Sequence, residues 1–292
     1  MSQLVMEGVA RLQEAGVASP RNDAELLLSW ALDRPRSELH GRADGVAVDE
    51  AAAERFRAGV GRRAQREPLQ HIVGTAPFRY LDLHVGPGVF IPRPETELMA
   101  GLAVEELGLV AAGGRHPIAV DLCSGSGAVA IAMATEQPAS RVIAVEITAE
   151  AHGYAERNAA GLDIDVRLGD MVHAVDDLTG LVDVVTANPP YIPVGEYESV
   201  EPEARDFDPP AALWSGAEGL DAIRAVERVA ARLLRDGGLV ACEHSDHQGE
   251  QVIEVFASIG GWAEIRDHRD LAGRSRFVAA RRIRPERGGL AR

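Results

Sequence analysis

Asn188-Pro189-Pro190-Tyr191 has the residue types needed to hold a flat nitrogen group. The amide oxygen of Asn188 and the carbonyl of Pro189 are two neighbouring acceptors, and the two prolines fix φ and remove backbone donors, which stiffens the turn. Acceptors held still can each take one hydrogen of a planar NH2 group and leave the nitrogen lone pair aimed at an electrophile. That geometry suits methyl transfer to nitrogen. The same residues could also form an Asx-Pro turn that merely ends a strand, so the surrounding elements have to decide.

The run Leu181-Val182-Asp183-Val184-Val185-Thr186-Ala187 reads as a buried parallel strand. The tetrapeptide therefore sits at a strand's carboxyl end, where open α/β sheets collect ligands. Upstream, Pro117-Ile118-Ala119-Val120-Asp121-Leu122-Cys123 reads as another strand. It runs into Ser124-Gly125-Ser126-Gly127 and then into the good helix former Ala128-Val129-Ala130-Ile131-Ala132-Met133. Strand, glycine turn and helix open a nucleotide-binding βαβ unit, with the glycines admitting a ligand close to the backbone. The next strand, Arg141 to Glu146, ends in a carboxylate about twenty residues on, the position from which an acid grips a ribose diol.

A nicotinamide dinucleotide would use the same turn and the same acid. Its fingerprint, however, carries a third glycine three residues after the second, and Gly127 is followed by Ala128, Val129 and Ala130. Asp121 also stands where an anionic pyrophosphate would be repelled and a cationic sulfonium with an amino-acid tail would be attracted. The turn thus favours S-adenosylmethionine.

The chain resembles the release-factor glutamine methyltransferases of the HemK/PrmC type over nearly its whole length. The resemblance is carried by Pro68-Leu69-Gln70-His71-Ile72-Val73-Gly74, Val89-Phe90-Ile91-Pro92-Arg93-Pro94-Glu95-Thr96-Glu97, Asp121 to Gly127, Asn188 to Tyr191, and Asp270-Leu271-Ala272-Gly273-Arg274-Ser275-Arg276. The Asn-Pro-Pro-Tyr element is shared with nucleic-acid adenine N6-methyltransferases, whereas Ile-Pro-Arg-Pro-Glu-Thr-Glu is far more discriminating. The resemblance implies methylation of the glutamine in the Gly-Gly-Gln loop of peptide-chain release factors, a step in translation termination. Asn188, Pro189, Pro190 and Tyr191 would be the catalytic residues. The cofactor would lie against Asp121, Cys123, Ser124, Gly125, Ser126, Gly127, Glu146, Asp170, Met171 and Asn188, with Asp170 accepting from the adenine amine and Met171 packing on the ring. Two residues depart from the family: Cys123 stands where glycine is usual, and Glu146 where aspartate is usual. In Glu243-His244-Ser245-Asp246-His247-Gln248 the ends match the family better than the middle.

The expected fold is α/β: a seven-stranded, Rossmann-like S-adenosylmethionine-dependent methyltransferase domain over 95–281, whose last two strands close the sheet antiparallel. Before it come a small helical domain over 1–66, with helices from Leu4 to Ala15 and Asp23 to Leu32, the latter started by Asn22 or Asp23 as a cap, and a hairpin linker over 67–94 made of short extended pieces from Pro68 on. By the resemblance, the helical domain helps engage the release factor. Arg93, Glu95 and Glu97 fall at the entry to a helix, and a basic tail, 282–292, ends the chain.

The chain has 292 residues, a net charge of −15 and no lysine, so all 30 basic residues are arginines. Residues 81–280 hold 33 acids against 14 arginines, which argues against a nucleic-acid substrate, whose phosphates need a basic track. The acids Glu196, Glu198, Glu201, Glu203, Asp206 and Asp208 follow the Asn188 turn, as a solvated loop or as a rim that attracts a basic protein. No run approaches a membrane span and the amino terminus lacks a signal-peptide pattern, so a cytoplasmic protein is expected. Cys123 and Cys242 read as two reduced thiols rather than a disulfide or a metal site. Glutamine methylation of a ribosomal protein, adenine N6-methylation, and a cofactor-binding protein without transfer activity are the competing readings.

Overall fold

A computed structural model of the chain describes residues 3–40 and 47–284. The expected basic tail lies outside the described residues from 285 onward. The chain divides into two compact units: Met1–Thr75 with Val200–Phe207, and Ala76–Ser199 with Asp208–Arg292.

The first unit is helical: α1 Gln3–Glu14, α2 Pro20–Leu32, α3 Arg36–His40, α4 Glu50–Ala64 and α5 Leu69–Val73. Its core is apolar, with Leu12, Leu27 and Phe56 wholly enclosed. The sequence suggested Asn22 or Asp23 as the cap of α2, yet this helix starts at Pro20, where the missing N–H costs nothing in a first turn. Asp23 is buried instead and accepts from Arg63 Nε at 2.8 Å. The Pro68-to-Gly74 segment, expected to be extended, forms α5, and Gly74 ends it at φ +83°. The motif there is structural, since Leu69 and Ile72 fill the helical core.

After α5, β1 Thr75–Phe78 and β2 Leu81–His84 form a two-stranded sheet, and α6 Thr96–Ala112, in the second unit, leads into the alternating part. There follow β3 Ile118–Leu122, α7 Ala128–Glu136, β4 Arg141–Glu146, α8 Ala149–Asn158, β5 Ile164–Leu168 and β6 Val182–Ala187. Next come α9 Pro202–Phe207, which belongs to the helical unit, then α10 Pro210–Leu213, α11 Asp221–Leu233, β7 Leu234–Glu243, α12 Gly249–Ile259, β8 Trp262–Arg269 and β9 Ser275–Arg282. The large sheet has the order β5-β4-β3-β6-β7-β9-β8, parallel through β7, with β9 antiparallel to both β7 and β8. β6 is buried at every position, as a strand covered by helices on both faces must be. One apolar cluster gathers α11 and α12 residues, including Val226 and Phe256, on one side, and a second gathers α6 and α7 residues, including Met99 and Met133, on the other.

The sheet order positions the site. The chain runs outward from β3 through β4 to β5, then returns to place β6 on the other side of β3. This reversal of strand order opens a crevice at the carboxyl ends of β3 and β6.

Candidate functional site

β3 and β6 pair in register, Asp121 opposite Thr186 and Leu122 opposite Ala187. The glycine turn and the Asn188 turn therefore leave the sheet side by side at its switch point. Thr186 Oγ1 donates to Asp121 Oδ1 at 2.7 Å and locks the two strand ends together.

The glycine turn needs residues with left-handed backbone. Gly125 has φ +56° and Gly127 φ +84°, and a Cβ on Gly127 would stand 3.1 Å from Ile131 Cδ1. Ser124 N donates to Val145 O at 2.9 Å, and Asn158 Nδ2 holds the carbonyl of Ser126 at 2.9 Å. Cys123 takes φ +59°, which explains why glycine is the usual residue there. Replacing Cys123 by glycine relieves that strain, partly offset by a freer unfolded chain. We expect Cys123→Gly to stabilise the protein by about 0.5–1 kcal/mol, read as a higher urea midpoint with unchanged slope. A lower midpoint would show that the thiol's contacts outweigh the strain. Both cysteines are free.

Glu146 is buried and ties the turn to the neighbouring strand end. Its Oε1 accepts from Ile147 N at 2.8 Å, Thr148 N at 2.9 Å and Thr148 Oγ1 at 3.1 Å, while Oε2 accepts from Gly125 N at 3.0 Å. A carboxylate offers about four lone-pair sites, so Oε2 retains room for one further donor. Asp170 is exposed and accepts from Val172 N at 2.9 Å, while Met171 is partly buried against the core. Ile147, Leu168 and Val172 are exposed apolar residues at the ends of β4 and β5, and Glu146 pairs with Leu168. Sequence reasoning missed this apolar shelf because exposed side chains at strand ends look like loop residues.

The site residues fit a nucleoside with a cationic tail on structural grounds. The hydroxyls of Ser124 and Ser126 are buried and lack a hydrogen-bond partner among the described residues, the Gly125 position opens onto free space, and the carboxyl of Asp121, at the end of the strand that leads into the turn, is buried. Burial pushes Asp121 up to about 7, against the pull of the Thr186 hydroxyl and the Ala130 amide. Its carboxyl thus bonds within the fold, and any attraction for a cation acts through its charge rather than by direct exposure.

Asn188 Nδ2 donates to Thr96 Oγ1 at 3.4 Å, and Thr96 Oγ1 donates to Glu243 Oε2 at 2.7 Å. Pro189 is buried and Pro190 half-buried, which makes them wall rather than surface. The Tyr191 ring packs on the core with its hydroxyl pushed up by burial, among Glu243, Arg276, Arg93 and Glu95. Gln248 holds the turn from behind: its Nε2 donates to Tyr191 O at 3.0 Å and Glu218 O at 3.2 Å, and Ser245 N donates to its Oε1 at 3.0 Å. Gly219 allows this approach, since a Cβ there would lie 2.2 Å from Tyr191 O. The 243–248 segment, whose role the sequence left open, is thus a clamp for the Asn188 turn.

Arg93 pairs with buried Asp208 at 2.8 Å and lies 4.9 Å from the Phe90 ring centre. Arg276 pairs with Asp270 at 3.0 Å, which in turn accepts from Ala272 N and Arg274 N. Of the six acids expected to form a rim, Glu203 is taken up by Arg63 and Arg66, Asp208 by Arg93, and Asp206 pairs with Arg205. The rim's free charge is smaller than its composition suggested.

Burial raises Asp121 and Glu243 to about 7 and Asp208 to about 6. A raised group holds its proton longer in the folded state, so its stabilisation is complete below the unfolded value near 4 and is lost as pH rises through 6 to 7. Asp177, Glu203 and Asp270 are lowered, and their contribution is lost only as pH falls below about 4. Without ligand, the urea midpoint should therefore fall between pH 5 and 7.5, by the equivalent of roughly 1 kcal/mol or more. A flat profile would mean these carboxyls are hydrated.

Residues 3–74 match the family described as the PrmC N-terminal domain, and residues 105–200 the Methyltransferase small domain. The release factor glutamine methyltransferase of Streptomyces coelicolor is 50% identical over 281 residues, covering 96% of this chain and 98% of that protein. That of Mycolicibacterium smegmatis is 46% identical, covering 94% and 95%. A 4-amino-L-phenylalanine/4-methylamino-L-phenylalanine methyltransferase of Streptomyces pristinaespiralis is 40% identical, covering 90% and 89%. Among solved structures, the hMettl16 catalytic domain aligns with a TM-score of 0.55 at 12% identity, over 84% of this chain and 87% of that one, a likeness of fold alone.

Proposed function

The chain belongs to the release factor glutamine methyltransferase family, and from that premise we propose that it methylates the side-chain nitrogen of the Gly-Gly-Gln glutamine of peptide-chain release factors. The observation that carries this reading is the placement of the Asn188 acceptors beside the glycine turn, across paired strand ends. S-adenosylmethionine, when bound, supplies an electrophilic methyl group on a sulfonium.

The chain's own residues do the rest. Glu146 Oε2 would take a ribose hydroxyl, the Ser124 and Ser126 hydroxyls and the turn amides would hold the tail, and Ile147, Leu168 and Met171 would cover the adenine with Asp170 at its edge. Asn188 Oδ1 and the Pro189 carbonyl each accept one hydrogen of the substrate amide. An amide nitrogen is a weak nucleophile because its lone pair is delocalised, and these acceptors strengthen their hold as positive charge develops on it. Tyr191 packs beside the flat amide and Pro190 shapes the wall. Transfer would exchange the sulfonium's C–S bond for a C–N bond, and the methylated nitrogen, then strongly acidic, would release its surplus proton to solvent. No strong base is required before transfer.

No helix among the described residues is long and apolar enough to cross a membrane, and we place the enzyme in the cytoplasm with its substrate. The arylamine relative supports a second reading, since a primary aromatic amine presents the same two hydrogens. Mass analysis of the Gly-Gly-Gln peptide, after incubating a release factor with the protein and S-adenosylmethionine, separates them. One added methyl on the glutamine supports the first reading. No addition there, with methylation of 4-amino-phenylalanine, replaces it with the second.

A further inference from the structure

We propose that Thr96 and Glu243 are positioning residues for the transfer, a two-link relay that fixes the side-chain amide of Asn188 with its oxygen toward the substrate. The inference rests on the role given to Asn188 above and adds what makes that role dependable.

An asparagine side chain has two nearly isosteric ends, and only one of them can accept a hydrogen from a substrate NH2 group. Turned over, Asn188 would present a donor to a donor and block productive binding. The relay removes the ambiguity by counting protons. Thr96 has one hydroxyl proton, and it goes to Glu243 Oε2 at 2.7 Å, because an ionised carboxylate can only accept. What remains on Thr96 Oγ1 is a lone pair, so it can face only the NH2 end of Asn188, which it does at 3.4 Å. That bond is long for an amide donor, as such bonds are before a substrate is seated. The Asn188 oxygen is left without a protein partner among the described residues. Thr96 and Glu243 are both buried, so water does not substitute for either link.

The relay is anchored on three elements: Thr96 opens α6, Glu243 ends β7, and Asn188 follows β6. Charged and titratable groups face Glu243 from each direction. Arg276 comes from β9, Arg93 and Glu95 from the segment before α6, and Tyr191 from the turn after β6. Burial raises Glu243 to about 7, with Thr96, Arg276 and Arg93 pulling down and Glu95 pushing up. A protonated Glu243 can donate to Thr96, which frees the Thr96 proton for the Asn188 oxygen and favours the reversed amide. The productive orientation therefore belongs to the ionised form, and turnover should have an acidic limb near pH 7.

The chain contains three asparagines, at 22, 158 and 188, so selective 15N-asparagine labelling of the full-length protein gives three side-chain amide pairs, with Asn188 assigned by its loss in Asn188→Ala. The relay requires that the Asn188 pair shift with pH around 7 in the wild type and stay constant in Glu243→Gln. In Thr96→Val the pair should lose its exchange protection. In parallel, Thr96→Val should lower kcat about 10- to 100-fold, with peptide KM and cofactor Kd within twofold, and Thr96→Ser should recover most of it. An Asn188 pair indifferent to both substitutions, or a Thr96→Val enzyme with wild-type kcat, overturns the relay. If the amide responds as described while no release-factor glutamine is methylated, the relay stands and the assigned substrate falls.

Discussion

Replacing Asn188 by alanine is expected to lower kcat by about 10³-fold or more, while the Kd for S-adenosylmethionine changes less than about fivefold. Two losses compound. The substrate nitrogen loses an acceptor whose bond strengthens as charge develops, and losing one such electrostatic partner costs on the order of 10²–10³ in rate. The amide plane is also no longer fixed, and misplacement at the scale of 1 Å costs roughly another 10²-fold. Cofactor affinity is spared because the turn that would hold it is built from other contacts: Ser124 N to Val145 O, Asn158 to Ser126 O, and Glu146 to Gly125 N. Single-turnover kinetics with a release-factor substrate, beside calorimetric titration of the cofactor, reads both numbers. A variant that keeps a tenth of wild-type turnover would remove Asn188 from the mechanism.

Glu146→Ala should weaken cofactor binding by about 10²-fold, the second largest effect expected. A charge-assisted hydrogen bond is worth about 1.5–3 kcal/mol, so loss of the ribose contact alone accounts for about 10- to 150-fold. The substitution also orphans four donors, on Gly125, Ile147 and Thr148, and lets the glycine turn drift from the end of β4. Glu146→Asp tests the departure from the family: Thr148 and Ile147 can follow a carboxylate one methylene shorter, so affinity should stay within a few-fold of wild type. Titration calorimetry measures all three proteins. If Glu146→Ala binds within threefold of wild type, the carboxylate serves only the local fold.

The sequence by itself determined the pieces whose signals are local. Alternation of apolar runs with glycine turns and helix formers marked the strands that became β3, β4 and β6. The two prolines after Asn188 marked a stiff turn, and the placement of Glu146 at the next strand's end marked the carboxylate proposed to grip the ribose, because backbone sterics act within a few residues and strand and helix lengths within one βαβ unit. The resemblance extended that reading to a substrate class and cofactor before any contact was known.

What only the tertiary structure decided depends on strand order, which no local pattern encodes. The sheet order sets β6 between β3 and β7, so Thr96, Asn188 and Glu243 meet although 92 and 147 residues separate Thr96 from its two partners. The same order put Gln248 behind Tyr191 and turned Asp121 inward onto Thr186. Helix α9 joined the helical unit because Glu203 meets Arg63 and Arg66, a pairing that reads in sequence only as a stretch of acids. The start of α2 was misread for a related reason: Asp23 looks like a cap until buried Arg63, from 40 residues on, claims its carboxylate. Local chemistry is written in neighbouring residues, whereas the second layer that orients it is assembled across the sheet, by burial that forces each polar group to find a partner wherever the fold brings one.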